Sequence, residues 1–245
     1  MIGPVRGFRP SERTHHVPQL YPARGLRRIE LTTAAPEATA DFLAQLLGWA
    51  VLPEPDDVFG GWVGDRLAVR VSPGDTTTWR LVFAGTTPRD LAHDAAVDRG
   101  RVLHGPWAPE PRPGEPCWVE VRGIADADAA YTDELGWRVR DPEEPFSLYD
   151  AEFDGDARPV AGRDTTDTDL APGWMVHFAT ADVETAAKSA TDLGGSVVVE
   201  PHEVPTGYVT SVATPAGAVL TLLQAPAGWG GAWAHVPEPT DSGTP

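Results

Sequence analysis

The tripeptide Leu-Gly-Trp occurs twice in this chain, at residues 47–49 and at residues 135–137. Each copy follows a short apolar run with the length of a strand and then a stretch with helical spacing of apolar residues. Glycine after the last helical residue allows the tight turn that ends a helix, and tryptophan supplies a large apolar anchor at that corner. The repeated corner predicts that the chain uses one strand–helix–strand unit more than once.

Similar units can be followed along most of the sequence. The first has the strand LRRIELTT (26–33), a helix with Pro36 in its first turn that ends at Gly48, and then three short strands. The fourth begins with the strand WMVHFAT (174–180), continues with a helix and three strands, and has PAG (215–217) as its last hairpin turn. Both units have the order βαβββ.

The third unit starts at Cys117 and has the same order, whereas the second unit is shorter. In the second unit the pattern predicts a strand over 77–85, a helix over 88–100 and a strand over 101–107. The Pro-rich stretch 108–116 then follows as a linker, so the last two strands are missing. The sequence therefore predicts an α+β fold of four units in two paired domains, divided as 1–25 (N-terminal extension), 26–113, 114–225 and 226–245 (tail).

The order of these motifs resembles the vicinal oxygen chelate superfamily, which includes glyoxalase I, bleomycin-resistance proteins, extradiol dioxygenases and fosfomycin-resistance enzymes. It looks most like the two-domain glyoxalase-like proteins of actinomycetes. The stretches that carry the resemblance are PCWVEV (116–121), ELGW (134–137), DGDARPVAG (154–162) and the run from Gly173 to Gln224. The resemblance implies that paired units curl into cup-shaped sheets. It does not fix the reaction, because this fold serves binders, lyases, isomerases, dioxygenases and transferases.

In metal-dependent members of the superfamily, His, Gln or Glu ligands come from the first and last strands of the units. The resemblance puts those positions on Trp118, Met175 and Thr221. None of these side chains is a good ligand for a hard divalent cation. We therefore predict no metal and no other cofactor, which argues against glyoxalase I or ring-cleaving dioxygenase activity.

Two groups capable of acid–base chemistry lie two residues further along the same strands. Strand side chains repeat every two residues, so Glu120 shares a face with Trp118, and His177 shares a face with Met175. The resemblance implies that this face is the interior of the cup. A carboxylate beside an imidazole in a half-apolar cup is a candidate general acid/base pair.

Structural roles for these groups remain open at this point. The carboxylate of Glu120 can pair with Arg28 or Arg122, and a histidine at a strand centre can be a hydrogen-bonded core residue. The two side chains can also form a residual metal site. Glu30 takes the place of Glu120 in the first unit.

Aromatic side chains complete the candidate site. Tyr149 and Tyr208 lie on later strands of the second pair, where their hydroxyls could stabilise a developing oxyanion. Broad aromatic faces suit a flat ligand, although core packing explains many tryptophans. The predicted ligand-binding side chains are Trp118, Trp174, Trp62, Met175, Thr221 and Glu30.

Composition limits the classes of partner. The net charge of −17 disfavours nucleic acid and anionic membranes, and no apolar run is long enough to span a bilayer. The start of the chain lacks an apolar signal-peptide region, so a cytoplasmic protein is expected. The single Cys117 excludes an intramolecular disulfide framework, and its apolar surroundings favour a core position. A monomer or a homodimer is compatible with paired units.

Three functions fit these features. The first is a metal-independent lyase, isomerase or cyclase that moves protons on a small, largely apolar or aromatic natural product, with Glu120, His177, Tyr149 and Tyr208 as catalytic groups. The second is a binding protein that sequesters a drug or metabolite, as bleomycin-resistance proteins do. The third is a scaffold for protein association. We also expect the N-terminal segment (1–25) or the tail (228–239) to cover the gap left by the short second unit.

Overall fold

The computed structural model describes residues 23–124, 126–166, 171–224 and Trp229. The expectation that residues 1–25 or 228–239 cover a gap therefore lies almost wholly outside the described residues. No helix in the described part of the chain is long and apolar enough to cross a membrane.

The first half of the described chain forms a seven-stranded sheet. Its strands are β1 (Leu26–Thr33), β2 (Ala50–Glu54), β3 (Val58–Val63), β4 (Arg66–Pro73), β5 (Thr78–Gly85), β6 (Arg89–Leu91) and β7 (Ala95–Arg99). They lie in the order β2-β3-β4-β1-β5-β7-β6. The first strands of the two units, β1 and β5, pair antiparallel at the centre of the sheet.

The second half forms an eight-stranded sheet with the same plan. Its strands are β8 (Pro116–Arg122), β9 (Arg138–Val139), β10 (Phe146–Phe153), β11 (Asp156–Asp164), β12 (Gly173–Thr180), β13 (Ser196–Val204), β14 (Gly207–Ala213) and β15 (Val219–Gln224). They lie in the order β13-β14-β15-β12-β8-β11-β10-β9, and β8 and β12 pair antiparallel at the centre. The predicted α+β fold of paired units is thus confirmed, and the strands of the two sheets fall on either side of the predicted boundary at residue 113.

Three helices are present in the described residues: α1 (Pro36–Leu47), α2 (Ala127–Leu135) and α3 (Val183–Asp192). Each follows the first strand of a full unit, as the sequence predicts. The Asp182 side chain accepts a hydrogen bond from the backbone N–H of Thr185 and so caps the start of α3. Apolar side chains of α3 at helical spacing are buried, namely Val183, Ala186, Ala187 and Ala190.

The predicted helix over 88–100 is wrong, because this stretch forms β6 and β7. His93 and Asp94 have positive φ angles of 58° and 52°, and this left-handed turn between the two strands is incompatible with a continuous helix. The run Ala95–Val97 is buried and pairs in parallel with β5. The predicted strand over 101–107 is also wrong, since only an isolated bridge joins His104 to Leu26. In this stretch, the stabilisation gained by pairing β7 with β5 exceeds the weak local preference for a helix.

The two Leu-Gly-Trp corners connect the halves of the molecule. Gly48 and Gly136 end their helices with φ angles of 73° and 67°, and the tryptophans that follow them are buried. The Trp49 indole N–H donates to the carbonyl of Gly114, just before the second sheet, at 2.7 Å. The Trp137 indole N–H donates to the carbonyl of Ala23, just before the first sheet, at 2.6 Å. Each corner thus anchors the segment that leads into the other half.

One hydrophobic core extends across both sheets. The Phe83 ring from the first sheet meets the rings of Trp137 and Trp174 from the second half, with centroids 5.0 and 6.0 Å apart. The Trp79 ring lies 6.2 Å from that of Phe178. Burial of one such aromatic side chain contributes about 1.5–3 kcal/mol, so these contacts hold the halves together.

Candidate functional site

One face of the second sheet forms the floor of a cavity of about 510 Å³. Strands β8 and β10–β15 all contribute to it, because every second side chain on each strand points to the same face. Most of the lining is apolar, and it includes Trp118, Leu148, Met175, Val209 and Leu223. A concave, largely apolar site with a few polar groups is typical of small-molecule binding.

A line of polar side chains crosses this floor from β14 to β11: Ser211, Thr221, His177, Glu120, Arg122 and Asp164. The hydroxyls of Ser211 and Thr221 are hydrogen-bonded at 2.9 Å. Thr221 lies opposite His177 in the sheet, and the Nε2 of His177 is 4.0 Å from the Oε1 of Glu120. The strand register therefore brings together the two groups that the sequence singled out.

Burial brings the pKa of the Glu120 carboxyl close to neutral pH. Burial raises its pKa from the usual 4.5 to about 7, against the opposing effects of the Trp118 hydrogen bond and the Arg122 charge. The Trp118 indole N–H donates to Oε1 of this carboxyl at 3.0 Å. Near pH 7 Glu120 therefore exists in both its acid and its base form.

His177 has the opposite behaviour. Burial and then the positive charge of Arg122 lower its pKa from 6.5 to about 3, although a hydrogen bond with the Trp118 backbone opposes them. The imidazole is therefore neutral at physiological pH. Its Nδ1 has no hydrogen-bond partner among the described residues. The histidine is therefore suited to neutral hydrogen bonding rather than to carrying a proton.

The carboxylate at the equivalent position in the first sheet, Glu30, has different neighbours from Glu120. Glu30 is paired with two guanidinium groups, Arg28 at 2.7 Å and Arg80 at 3.7 Å. Arg80 lies opposite Glu30 on the neighbouring central strand, whereas Met175 lies opposite Glu120. The residue two positions earlier on the strand is likewise Arg28 in the first sheet and Trp118 in the second. Two arginines are thus replaced by an indole and a thioether, and Glu120 lacks these cationic partners.

A glycine makes room for the Glu120 side chain. Gly162 lies opposite Glu120 on β11, and a Cβ atom there would come within 2.5 Å of the Glu120 Cγ and 3.2 Å of the Trp118 Nε1. Any other residue at this position would displace the carboxyl or the indole. This glycine is therefore part of what shapes the site.

Five of the predicted site residues line the cavity, namely Trp118, Glu120, Met175, His177 and Thr221. The structure thus brings them together, while their roles remain predictions. Met175 and Trp118 form apolar walls beside Glu120. The single cysteine, Cys117, points away from them and is buried in the core as expected.

Five other predicted site residues lie elsewhere. Tyr149 follows the cavity residue Leu148 and so faces the core, where its hydroxyl donates to Asp128 at 2.6 Å. Trp174 precedes Met175, packs on the core side, and its indole N–H donates to the His93 carbonyl at 2.9 Å. The expectation that these two side chains line the cavity is wrong.

The remaining three are also outside the cavity. The hydroxyl of Tyr208 donates to Glu184 of α3 at 2.8 Å, on the helix-covered side of the sheet. Trp62 lies on β3 and Glu30 on β1, both in the first sheet. The oxyanion-stabilising role predicted for Tyr149 and Tyr208 is therefore not available to either residue.

Two charged residues that line the cavity were not among the predicted site residues: Arg122, which the sequence suggested only as a possible partner of Glu120, and Asp164. Their side chains are joined by an ion pair in which Arg122 Nε is 2.9 Å from Asp164 Oδ2. Burial disfavours the Asp164 carboxylate, but hydrogen bonds from Thr166 and the Arg122 charge hold its pKa below the usual value. The i, i+2 spacing from Glu120 could have identified Arg122, whereas Asp164 comes from a strand whose register the sequence does not give.

The donor set of this cavity does not fit a resident divalent metal. Trp118 and Met175 offer no hard donor at two of the ligand positions, and the Thr221 hydroxyl is bonded to Ser211. In the part of the chain that the structure describes, no three His, Cys, Asp or Glu side chains are grouped to hold an ion.

The class of protein follows from this fold and from the sequence. The profile of the Glyoxalase/Bleomycin resistance protein/Dioxygenase superfamily matches residues 25–222. The match covers well over half of the chain, so the chain belongs to this superfamily. The resemblance predicted from the order of motifs is thereby confirmed.

Individual relatives match this chain over only part of its length or at low sequence identity. The anthracycline biosynthesis protein DnrV of Streptomyces peucetius is 34% identical over 128 residues, which cover 49% of this chain and 46% of DnrV. The chain thus spans about half the length of this relative. The Mn(II)-bound glyoxalase of Novosphingobium aromaticivorans has a TM-score of 0.58 at 12% identity, covering 84% of this chain and 83% of that one. The 2,3-dioxygenase LapB of Pseudomonas sp. KL28 has a TM-score of 0.59 at 11% identity, with 83% and 94% covered. At these identities the two crystal structures show the fold alone.

Proposed function

We propose that the protein is a metal-independent acid–base enzyme of the lyase, isomerase or cyclase type. Its substrate is a small, largely apolar or aromatic natural product that binds in the cavity of the second sheet. The observation that carries this proposal is the Glu120 carboxyl, which lies in an apolar cavity, beside the neutral His177, with a pKa of about 7. A general base or acid acts best when its pKa is close to the working pH.

The chemistry assigned to Glu120 is a proton transfer at carbon. In its ionised form the carboxylate removes a proton from a carbon next to a carbonyl group, which leaves an enolate and a neutral carboxylic acid. The carboxylic acid then returns the proton to another atom of the same substrate. No electrons are gained or lost in this isomerisation, so it requires no oxidant or reductant.

The neighbouring side chains have supporting roles. The Trp118 indole N–H holds one oxygen of Glu120, so the other oxygen is left to meet the substrate. The neutral His177 lines the cavity with its Nε2 4.0 Å from Glu120 Oε1, and it is assigned as a hydrogen-bonding group for the substrate. The name of the relative DnrV, an anthracycline biosynthesis protein, supports a natural product as the substrate class.

Hydrogen–deuterium exchange tests this function without knowledge of the substrate. The protein is incubated in D₂O at pD 7 with flat aromatic ketones such as 1-tetralone and 2-tetralone, and deuterium uptake at the carbon next to the carbonyl is measured by mass spectrometry. We expect uptake above the buffer rate with the wild-type protein. Glu120→Gln removes the base and should reduce uptake to the buffer rate.

Glu30→Gln is the matched control, because Glu30 has the equivalent position in the first sheet but is paired with Arg28 and Arg80. This variant should exchange deuterium as the wild type does. Equal uptake by wild type and Glu120→Gln would contradict the enzymatic proposal. If the ketones nevertheless bind, measured by calorimetry, the result would favour the alternative function, a protein that sequesters a drug or metabolite.

A further inference from the structure

Arg122 lines the cavity and has hydrogen-bonding groups that the described residues leave unused. Its side chain is only 15% exposed, and its Nε is engaged with the Asp164 carboxylate at 2.9 Å. Its two terminal nitrogens, Nη1 and Nη2, make no hydrogen bond with any residue that the structure describes. The guanidinium therefore has one edge fixed by the protein and the other edge free.

This arrangement favours a particular kind of ligand group. Arginine remains charged at any physiological pH, and its planar fork matches two oxygen atoms that share a negative charge. Such bidentate, charge-assisted hydrogen bonds are the strongest that side chains form. Asp164 also accepts hydrogen bonds from the backbone N–H and hydroxyl of Thr166, so the carboxylate that orients the guanidinium is itself held in place.

The position of Arg122 relates this edge to the proposed base. Glu120 and Arg122 are two residues apart on β8, so their side chains leave the same face of the strand about 7 Å apart. The positive charge of Arg122 acts on both Glu120 and His177, since it lowers the pKa of each. One small ligand can therefore contact the Glu120 carboxyl and the Arg122 guanidinium at the same time.

From this geometry we infer that Arg122 is the oxyanion-binding residue of the cavity. Its substrate carries, on a flat apolar ring, either a carboxylate or a 1,3-dicarbonyl group whose enolate shares a negative charge between two oxygens. The inference rests on the proposed function for the role of Glu120, which removes a proton from a carbon next to a carbonyl group of the same substrate, so that Arg122 binds the neighbouring carboxylate or the enolate oxygens that this step produces. Arg122 thus takes the role that the sequence assigned to Tyr149 and Tyr208.

Binding of paired probes tests the inference by isothermal titration calorimetry at pH 6, where Glu120 is mostly uncharged. The carboxylate arm compares 2-naphthoate with the neutral 2-naphthamide, and the dicarbonyl arm compares benzoylacetone with the mono-ketone butyrophenone. We expect wild-type protein to bind at least one charged or dicarbonyl probe about ten-fold more tightly than its partner. The arm that shows the preference identifies the source of the oxygen pair.

Variants then assign the preference to a residue. Arg122→Met should abolish it, and Arg122→Lys, which keeps the charge but not the fork, should retain only a small part of it. The double variant Arg122→Met/Asp164→Asn leaves no unpaired buried carboxylate and serves if the single variant folds poorly. Arg158→Met removes a positive charge from the β10–β11 hairpin, where Arg158 pairs with Asp156, and should leave the preference unchanged.

Two results would overturn the inference. One is equal affinity of the wild type for both members of each pair, or no binding of either 2-naphthoate or benzoylacetone. The other is a preference that survives in both Arg122→Met variants. Loss of deuterium exchange in Glu120→Gln together with equal probe affinities would refute the role of Arg122 alone. A clear probe preference without any deuterium exchange would refute the acid–base function and leave Arg122 as a ligand-binding residue.

Discussion

Replacement of Glu120 by glutamine is expected to stabilise the protein at alkaline pH. A carboxyl with a pKa of about 7 in the folded protein and about 4.5 in the unfolded chain binds its proton more tightly when folded. Unfolding therefore releases protons between pH 4.5 and pH 7, and the free energy of unfolding falls as the pH rises through this window. Above pH 7 the whole cost of a buried, ionised carboxylate is present.

The magnitude follows from the two pKa values. A difference of one pKa unit corresponds to about 1.4 kcal/mol, so the change from 4.5 to about 7 amounts to about 3 kcal/mol. Glutamine has nearly the same shape, and its amide oxygen can still accept the hydrogen bond from Trp118. Glu120→Gln should thus be about 3 kcal/mol more stable than the wild type at pH 8.5, and about 1 kcal/mol or less at pH 5.

Urea unfolding of both proteins at a series of pH values measures this difference. The two proteins are compared at the same pH each time. The effects of the other charged and titratable groups that line the cavity then cancel, because both proteins contain them: Arg122, Asp164, His177 and His202. Glu30→Gln is again the control, because this change removes the ion pairs with Arg28 and Arg80, so the variant should be no more stable than the wild type at pH 8.5. A Glu120→Gln advantage that is absent at pH 8.5, or that does not change with pH, would refute the raised pKa of Glu120.

Two further variants examine the surroundings of this carboxyl. Met175→Arg puts an arginine opposite Glu120, as Arg80 lies opposite Glu30 in the first sheet, so the pKa of Glu120 should fall below 7. NMR titration of labelled glutamate carboxyls measures this pKa. An unchanged value would contradict the comparison of the two sheets. Gly162→Ala puts a Cβ within 2.5 Å of the Glu120 Cγ, so it should cost about 1–3 kcal/mol in urea unfolding and reduce deuterium exchange with Glu120 itself intact. Wild-type exchange in Gly162→Ala would show that the site tolerates displacement of the carboxyl.

The sequence identified the parts of the fold that depend on local patterns. Three kinds of feature are present as predicted: the helices after the first strands of three units, the glycine turns at Gly48 and Gly136, and the final hairpin. These features depend on residues close together in the chain, such as apolar spacing within a helix or a glycine at its end. The second unit differed because residues 88–100 had a weak helical pattern and a strong partner in β5.

The sequence placed candidate residues in the cavity correctly only on strands for which the face of each side chain was known. For β8 and β12 the superfamily resemblance indicated which face of the strand lines the cup. The four side chains on that face share the cavity as expected, namely Trp118, Glu120, Met175 and His177. On β10 no such information was available, and a shift of one residue exchanges the two faces of a strand. Tyr149 therefore lies in the core and its neighbour Leu148 in the cavity.

By itself, then, the sequence determined that this chain is built from repeated units and that its central strands carry a carboxylate and an imidazole on one face. Only the tertiary structure decided the chemistry of those groups. The pKa of a carboxyl depends on which charges and how much solvent surround it, and these come from strands far apart in sequence. Glu30 and Glu120 have equivalent places on their strands, yet the first is neutralised by Arg28 and Arg80 and the second is left beside an indole and a thioether.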